Sequence, residues 1–362
     1  WLGGANLIEK QTPRQTVIYK DNSDNMEVNN MKKQNKLAVA IALAFTTGSL
    51  PLTAAQSQAD FQDTEYYASK GLDLINAAEA YAMGYTGKAV TLGICDEPAN
   101  FLSPEFSTKQ SSKIVDTASI EGSLPGVYDW KLTHGTHVAG IAAASRNGIG
   151  MQGVAYEAEA ASANHWSLYV PNGGSYQYEE ESKNFFRYYL EHPEIKVINN
   201  SWGANLYTDK VKIDESVYQG LSDMIHARQE YGFSQVIAAA KQDKLLVFCA
   251  GNDGHASPEM EALLGYWDSS PRSNILTVTA LDGFTTRSSG MIAATQQNSG
   301  VMSCFSNLSQ YVEDSTLAAS GYLILSANAN YAADGSLDVL DSGSSMAAPF
   351  VTGTGALVQQ AF

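Results

Sequence analysis

Four nearly continuous apolar runs constrain the fold of this chain more than any other feature of its sequence. The runs lie at residues 88–95, 196–203, 245–252 and 275–280. Each is short and lacks the alternation of a half-exposed strand, so each predicts a strand buried on both faces. Helical patterns separate or flank them at residues 71–81, 185–190 and 217–225. Strands that alternate with helices predict an α/β fold, namely a doubly wound, mostly parallel sheet with helices on both faces.

The first 59 residues carry the pattern of a processing segment. Lys32, Lys33 and Lys36 precede the apolar stretch at 37–45, and small residues then offer cleavage sites at 53–55 and 57–59. This is the layout of a secretory signal peptide, and the apolar stretch is too short to span a bilayer. We predict an upstream extension at 1–30 outside the mature protein, a signal peptide at 31–59 and one folded domain at 60–362.

The net charge and the number of cysteines limit the partners and the disulfide bonds that this chain can have. The net charge of −16 and the pI of about 4.7 argue against a nucleic-acid partner, which requires a basic surface. Cys95, Cys249 and Cys304 are too few for a disulfide framework. Cys95 and Cys249 lie in apolar runs and are interpreted as small buried hydrophobes, although a bridge between them stays open. No clustered Cys/His spacing of a metal site occurs in the sequence.

The stretch at residues 341–351 sets Ser345 between small residues at what reads as the start of a tightly packed helix. A hydroxyl at a helix start lies in the positive field of free amide groups, which suits a nucleophile whose product oxygen becomes negative. The alternative is that Ser345 is an N-cap, and on this stretch alone the cap is the commoner role.

Two further stretches carry residues capable of acid–base chemistry. Residues 133–144 form an almost side-chain-free helix pattern that can pack closely while holding His134 in place; His137, one turn later, is interpreted as structural. Asp96 follows the first buried run, where ligand groups gather in open α/β sheets. Capping a turn is the alternative role for Asp96.

Together these motifs resemble those of the subtilisin-like serine proteases, the subtilases. The chain carries Asp96, then His-Gly-Thr-His-Val-Ala-Gly, then Ala-Gly-Asn, then Gly-Ser-Ser-Met-Ala-Ala-Pro, in the order Asp, His, Ser of that family. The separations are 38 residues (134 − 96) and 211 residues (345 − 134). The resemblance covers about residues 71–362. It implies a subtilisin-like fold and a catalytic domain at 60–362 that is truncated at its C-terminus.

The resemblance assigns the catalytic roles. Ser345 is the expected nucleophile, His134 the general base, and Asp96 the group that holds the imidazole. The side-chain amide of Asn252 and the backbone N–H of Ser345 are expected to bind the oxyanion.

It also assigns the substrate-binding segments. Ser201, Trp202 and Gly203 match the segment that pairs with an extended substrate. Ala250 and Gly251 match the lining of the primary specificity pocket. Small residues there leave room for a large apolar side chain, unless a wall that the sequence does not identify changes this.

The sequence departs from the family pattern after its aspartate, and it has Ser344 and Ala348 where the family more often has Thr and Ser; a candidate metal site also accompanies the resemblance. Glu97 and Pro98 follow Asp96, where the family has a small residue and a glycine, although residues 103–106 match a Pro-acid pair of the family and support Asp96. Glu105, with the loop at 147–151, resembles a structural calcium site of some members. The chemistry itself requires no cofactor.

We therefore expect an exported serine endopeptidase, secreted or at the cell surface, that cleaves polypeptide substrates. Residues 71–78 and 84–88 resemble the passengers of bacterial autotransporters, which implies a C-terminal β-barrel translocator as a partner. The alternative is a catalytically silent subtilase-fold surface adhesin or binding module, which Glu97 and Pro98 favour. A lipase or esterase is a weaker alternative, because residues 343–347 lack the second glycine of the G-x-S-x-G elbow.

Overall fold

The computed structural model describes residues 56–115, 133–164, 186–203, 233–267, 272–281 and 301–362. The extension at 1–30, most of the predicted signal peptide and the predicted helix at 217–225 lie outside these ranges. Among the residues described, no helix is both long enough and apolar enough to cross a membrane.

A parallel sheet forms the centre of the described chain. Its strands are β1 (Thr91–Asp96), β2 (Lys113–Ile114), β3 (Glu159–Asn164), β4 (Val197–Asn200), β5 (Leu245–Cys249), β6 (Ile275–Leu281) and β7 (Thr316–Ser320). They lie in the order β2-β3-β1-β4-β5-β6-β7, and every adjacent pair is parallel. Two further strands, β8 (Ile324–Ala327) and β9 (Asp338–Asp341), form a separate antiparallel pair. The predicted parallel α/β sheet is confirmed.

Helices cover both faces of this sheet. They are α1 (Thr64–Ala68), α2 (Ala77–Ala82), α3 (Thr133–Ala143), α4 (Arg187–Glu191), α5 (Phe233–Lys241), α6 (Leu264–Trp267), α7 (Tyr331–Asp334) and α8 (Ser344–Ala361). A Cβ added to Gly355 of α8 would lie 3.0 Å from Val197. Tyr189 of α4 and Val236 of α5 instead join the core cluster of Ile198. Because neighbouring side chains of a strand point to opposite faces, Val197 and Ile198 place α8 on one face and α4 and α5 on the other.

The buried runs of the sequence correspond to β1, β4, β5 and β6, and each strand ends where polar or small residues follow. The sequence did not indicate β3, whose residues Ala160, Ala161 and Ala163 are of a type depleted in strands. The helix predicted at 71–81 begins only at Ala77, because turns occupy residues 71–76 and Asn76 has a left-handed φ of 56°.

Gly353 of α8 lets that helix approach α3 closely. A Cβ on Gly353 of α8 would lie 2.5 Å from Val154 and 2.9 Å from the Ala142 carbonyl oxygen. His137 is buried, with its Nε2 3.0 Å from the carbonyl oxygens of Ile324 and Val339, in the structural role predicted for it.

The three cysteines are free thiols. Cys95 and Cys249 are both buried, on β1 and β5, and β4 separates these strands in the sheet. The bridge that the sequence left open is therefore not formed, and both residues serve as small core hydrophobes.

Candidate active site

The candidate site lies at the carboxyl ends of three neighbouring strands. Asp96 ends β1, the segment 201–203 follows β4, and the segment 250–252 follows β5. In a parallel sheet these ends share one edge, so residues far apart in sequence meet there. The first turn of α3 is hydrogen-bonded to the residue after β1, and the first turn of α8 to the segments after β4 and β5. These bonds bring His134 and Ser345 to that edge.

Asp96 and His134 form a direct contact. The His134 Nδ1 and Asp96 Oδ1 atoms are 2.7 Å apart; the Asp96 side chain is 1% exposed, whereas that of His134 is 30% exposed and so remains open to a substrate. Burial alone would lower the pKa of His134, but the charge and hydrogen bond of Asp96, with the charges of Glu97 and Asp341, raise it to about 9. With Nδ1–H donated to Asp96, Nε2 is the atom able to accept a proton.

Glu97 holds the start of the histidine helix. The His134 backbone N–H donates to Glu97 Oε2 at 3.0 Å, and the N–H of Gly135 is a second backbone partner. A Cβ on Gly135 would overlap the Glu97 carbonyl, so only glycine allows this approach. Burial, and then the charge of Asp96, raise the pKa of Glu97 to about 7. The departure from the family pattern at Glu97 therefore provides a carboxylate at a helix N-terminus, a favourable position for it.

Ser345 is the second residue of α8, and the N-cap is Gly343, so Ser345 does not fill the cap role. Its Oγ donates to the carbonyl oxygen of Ser201 at 3.1 Å, and Ser201 Oγ donates to the Ser345 carbonyl at 2.7 Å. Within the described chain, no hydrogen bond joins the His134 imidazole to the Ser345 hydroxyl. The structure thus brings Asp96 against His134 and fixes Ser345 to the end of β4 at the same sheet edge.

Asn252 is exposed at the start of the serine helix. Its Oδ1 accepts hydrogen bonds from the N–H of Ser344 at 2.7 Å and from Ser344 Oγ at 3.0 Å. These bonds occupy the oxygen and leave the Nδ2 group to donate elsewhere. The Ser345 N–H lies in the first helical turn, where amides have no intrahelical acceptor. Both are suitable donors to a developing negative oxygen.

A model of the Subtilase family matches residues 87–362 of the chain. The chain is a subtilase. Two extracellular serine proteases of Serratia marcescens are similar to it, one at 28% identity over 92% of this chain and one at 32% over 61%. The subtilase described here spans 34% and 22% of their lengths. This membership supports a serine protease function.

Solved structures agree with the fold. The self-cleaved protease domain of PatA has a TM-score of 0.51 at 22% identity, covering 75% of the subtilase and 80% of that chain. The prenylagaramide maturation protease PagA has a TM-score of 0.52 at 19% identity, covering 78% of each chain. At this level of identity the likeness concerns the fold alone.

The predicted substrate-binding segments of the subtilase both hold the serine helix. Ser201 bonds Ser345 as above, and the Gly251 N–H donates to Ser344 Oγ at 2.9 Å. The Trp202 ring packs edge-on against Phe248, with ring centroids 5.7 Å apart, and Ala250 is fully buried. Substrate binding by Ser201, Trp202, Gly203, Ala250 and Gly251 stays a prediction.

Sequence analysis missed an acid beside these segments. Glu259 is 8% exposed, and a Cβ on Gly203 would lie 2.6 Å from the Glu259 Cβ. A Cβ on Gly251, whose φ is +102°, would overlap Glu259 Oε1. Glu259 therefore places a carboxyl group against both predicted substrate-binding segments. The one sequence signal for Glu259 is that a second glutamate, Glu261, lies two residues later.

Two other carboxyl groups converge at the loop that the sequence associated with calcium. Glu105 is fully buried, and a Cβ on Gly150 would overlap Glu105 Oε1 and lie 2.5 Å from Asp338 Oδ2. Burial and the charge of Asp338 raise the pKa of Glu105 to about 8. Glu105 Oε1 and Asp338 Oδ1 have no hydrogen-bond partner among the described residues. Those residues also contain no group of three or more His, Cys, Asp or Glu side chains that could hold a metal.

Proposed function

We propose that this subtilase is an exported serine endopeptidase that cleaves polypeptides through an acyl-enzyme on Ser345. The observation that carries the proposal is the 2.7 Å contact between His134 and the buried Asp96, at the sheet edge where the serine helix begins. An oriented imidazole and a serine hydroxyl at a helix N-terminus, both at one sheet edge, are the groups that nucleophilic acyl transfer requires.

In the first half of the reaction, His134 acts as general base. The Ser345 hydroxyl turns from the Ser201 carbonyl toward His134 Nε2, gives up its proton and attacks the carbonyl carbon of the scissile peptide. Asp96 stabilises the imidazolium that forms and keeps Nδ1 protonated. The resulting oxyanion receives hydrogen bonds from Asn252 Nδ2 and from the N–H of Ser345.

In the second half, His134 returns the proton to the leaving amine, and the C–N bond breaks to leave an ester on Ser345. Water then attacks that ester, with His134 again as base, and releases the acid and the free serine. Because the base must be neutral, a pKa of about 9 for His134 predicts activity that rises with pH toward the alkaline range.

A fluorophosphonate probe tests the proposal directly. We expect the folded chain to lose its casein-hydrolysing activity as Ser345 becomes labelled, and Ser345→Ala to show neither labelling nor hydrolysis. A folded, unmodified chain without either property would count against the proposal. That result would favour the alternative of a silent surface adhesin or binding module. Glu97 and Pro98 favoured this alternative, and the hydrogen bonds of Glu97 to the start of α3 give Glu97 a structural role that is compatible with catalysis.

Export through a signal peptide at 31–59 is part of the proposal, as is a C-terminal β-barrel translocator. The Serratia marcescens relatives are named extracellular serine proteases, and this supports export. N-terminal sequencing of protein recovered outside the cytoplasm should find a mature start near Gln56 or Asp60. A product that retains residues 31–59 would contradict the cleavage. Sequencing the gene beyond codon 362 checks the translocator.

We also propose that Glu105 and Asp338 hold a calcium ion with backbone carbonyls of the loop at 147–151. Buried carboxylate oxygens without partners and an all-oxygen donor set fit this hard cation. The ion would stabilise the loop and take no part in the chemistry. Calcium should raise the melting temperature of the parent chain, and Glu105→Gln should abolish that increase. An equal increase in both proteins would contradict the assignment.

A further inference from the structure

Glu259 is a buried acid with an unsatisfied oxygen, next to the two segments that hold the serine helix. The residue is 8% exposed, and its Oε2 has no hydrogen-bond partner in the part of the chain that the structure describes. Its stem lies against Gly203, and its Oε1 lies against Gly251. Burying a carboxyl group without a hydrogen-bond partner lowers the stability of the fold. The presence of such a group therefore requires an explanation, and a ligand that supplies the partner is one.

The position of Glu259 ties it to substrate rather than to the core. Gly203 and Gly251 belong to the two segments that hold the serine helix, through Ser201 to Ser345 and through the Gly251 N–H to Ser344. The scissile carbonyl must lie between Ser345 Oγ and the Asn252 amide. The side chain of the residue that carries this carbonyl therefore starts beside the same two segments, and a long side chain extends along them toward Glu259.

Charge defines the kind of side chain that fits. Glu259 lies near the acids Glu261 and Asp253, whose charges, after burial, raise the pKa of Glu259 to about 8. A cation entering this region would neutralise Glu259 and relieve its repulsion with both neighbours. An apolar side chain would bury the carboxyl group further without supplying a partner.

Resting on the proposed endopeptidase function, we infer that Glu259 determines specificity by binding a lysine or arginine side chain on the residue that donates the scissile carbonyl. This replaces the large apolar side chain that the small residues Ala250 and Gly251 alone had indicated. A charge-assisted hydrogen bond between a guanidinium or ammonium group and a carboxylate is the strongest contact available here.

Ionisation of Glu259 gives the inference a second consequence. The groups acting on it are Glu261 and Asp253, and the Cys249 thiol, whose pKa is raised by burial to about 12, is affected by it in turn. Glu259 becomes ionised as the pH rises through about 8. Preference for a cationic residue should therefore grow between pH 6 and pH 9. The deprotonation of His134 affects all substrates alike and cancels from a ratio.

The test compares two fluorogenic peptides that differ only in arginine or citrulline before the scissile bond. Citrulline keeps the shape of arginine and lacks its charge. We expect the unmodified chain to favour arginine in kcat/KM by on the order of 10²-fold, and the ratio to rise with pH. Glu259→Gln should bring the ratio close to one. Glu65→Gln is the matched control, because Glu65 is equally buried, is bonded to the amides of Asn147 and Gly148, and should keep the parental ratio.

The outcomes are distinct from those of the proposed function. Hydrolysis of both peptides without a preference, or an unchanged ratio in Glu259→Gln, would overturn the inference alone. So would loss of the preference in Glu261→Gln but not in Glu259→Gln. No hydrolysis and no fluorophosphonate labelling would overturn the proposed function and this inference with it. If Glu259→Gln does not fold, the pH dependence of the ratio in the unmodified chain decides the matter.

Discussion

Glu97 lies at the start of the histidine helix and Glu259 beside the segments that hold the serine helix, and their hydrogen-bond partners differ. Both have a pKa raised mainly by burial, to about 7 and about 8 respectively. The Glu97 carboxylate accepts the backbone N–H groups of His134 and Gly135, whereas Glu259 Oε2 has no partner among the described residues. The two carboxyl groups therefore differ in their hydrogen bonding, although burial raises the pKa of both, and this difference is the basis for assigning them different roles.

The first prediction asks whether Glu97 can replace its neighbour Asp96. Its backbone bonds hold Glu97 at the helix start, so we expect Asp96→Asn to lower kcat by about 10⁴-fold while changing KM little. Steady-state kinetics on one peptide substrate measures this, with the exposed Asp314→Asn as control. A loss of only a few fold would mean that Glu97 substitutes for Asp96, and the contrast between the two glutamates would fail.

The second prediction separates transition-state stabilisation from recognition of charge. Asn252→Ala removes one oxyanion donor and should lower kcat by about 10²–10³-fold. The arginine-to-citrulline ratio should stay at the parental value, because Glu259 is unchanged. A fall of the arginine-to-citrulline ratio toward one in Asn252→Ala would show that Asn252 and Glu259 do not act independently.

The third prediction concerns the charge of Glu97. Glu97→Gln keeps an oxygen acceptor but removes a negative charge that helps to raise the pKa of His134. The acid limb of the kcat/KM profile should therefore move to lower pH, while the rate above the limb stays near the parental rate. Titration of the His134 ring protons by NMR checks the same shift. An unmoved limb would restrict Glu97 to its contact with the helix.

The smallest effects concern stability, and they should have opposite signs. At pH 9 Glu259 is ionised and unpartnered, so Glu259→Gln should raise the free energy of unfolding by about 1 kcal/mol. Glu97→Gln should lower it by about 1 kcal/mol through a weaker helix N-terminus. Melting temperatures should move by about 2–4 °C in each direction. Changes of the same sign would remove the distinction between the two acids.

Stability of the parent chain should also depend on pH. The pKa of His134 is raised above its ordinary value of 6.5. The contribution of His134 to the free energy of unfolding is therefore fully present below about pH 6.5 and is lost as pH rises through about 9. The raised pKa of Glu259 likewise makes the free energy of unfolding fall as pH rises.

Sequence analysis predicted the parts of this molecule that depend on local pattern. Continuous apolar runs predicted β1, β4, β5 and β6, and the Gly/Ala pattern around His134 predicted the tightly packed α3. The alanine-rich β3 was missed because its burial depends on neighbouring strands and not on its own hydrophobicity. In the site, Asp96, His134 and Ser345 stand in recognisable motifs. Glu259 and Asp338 do not, since each reaches its position through a close approach to a glycine that is distant in sequence, Gly251 (with Gly203) for Glu259 and Gly150 for Asp338.

Ser201 and Ser345 exchange hydrogen bonds across 144 residues of sequence. The hydroxyl of Ser345, the proposed nucleophile, is thus held in place only after the end of β4 and the start of α8 have docked. Contacts of such long range form late, because closing a long loop costs entropy before any contact compensates it. Under the proposed function, a newly made or partly unfolded copy would accordingly be unable to cleave neighbouring proteins, and proteolytic activity would arise only when the native state is complete.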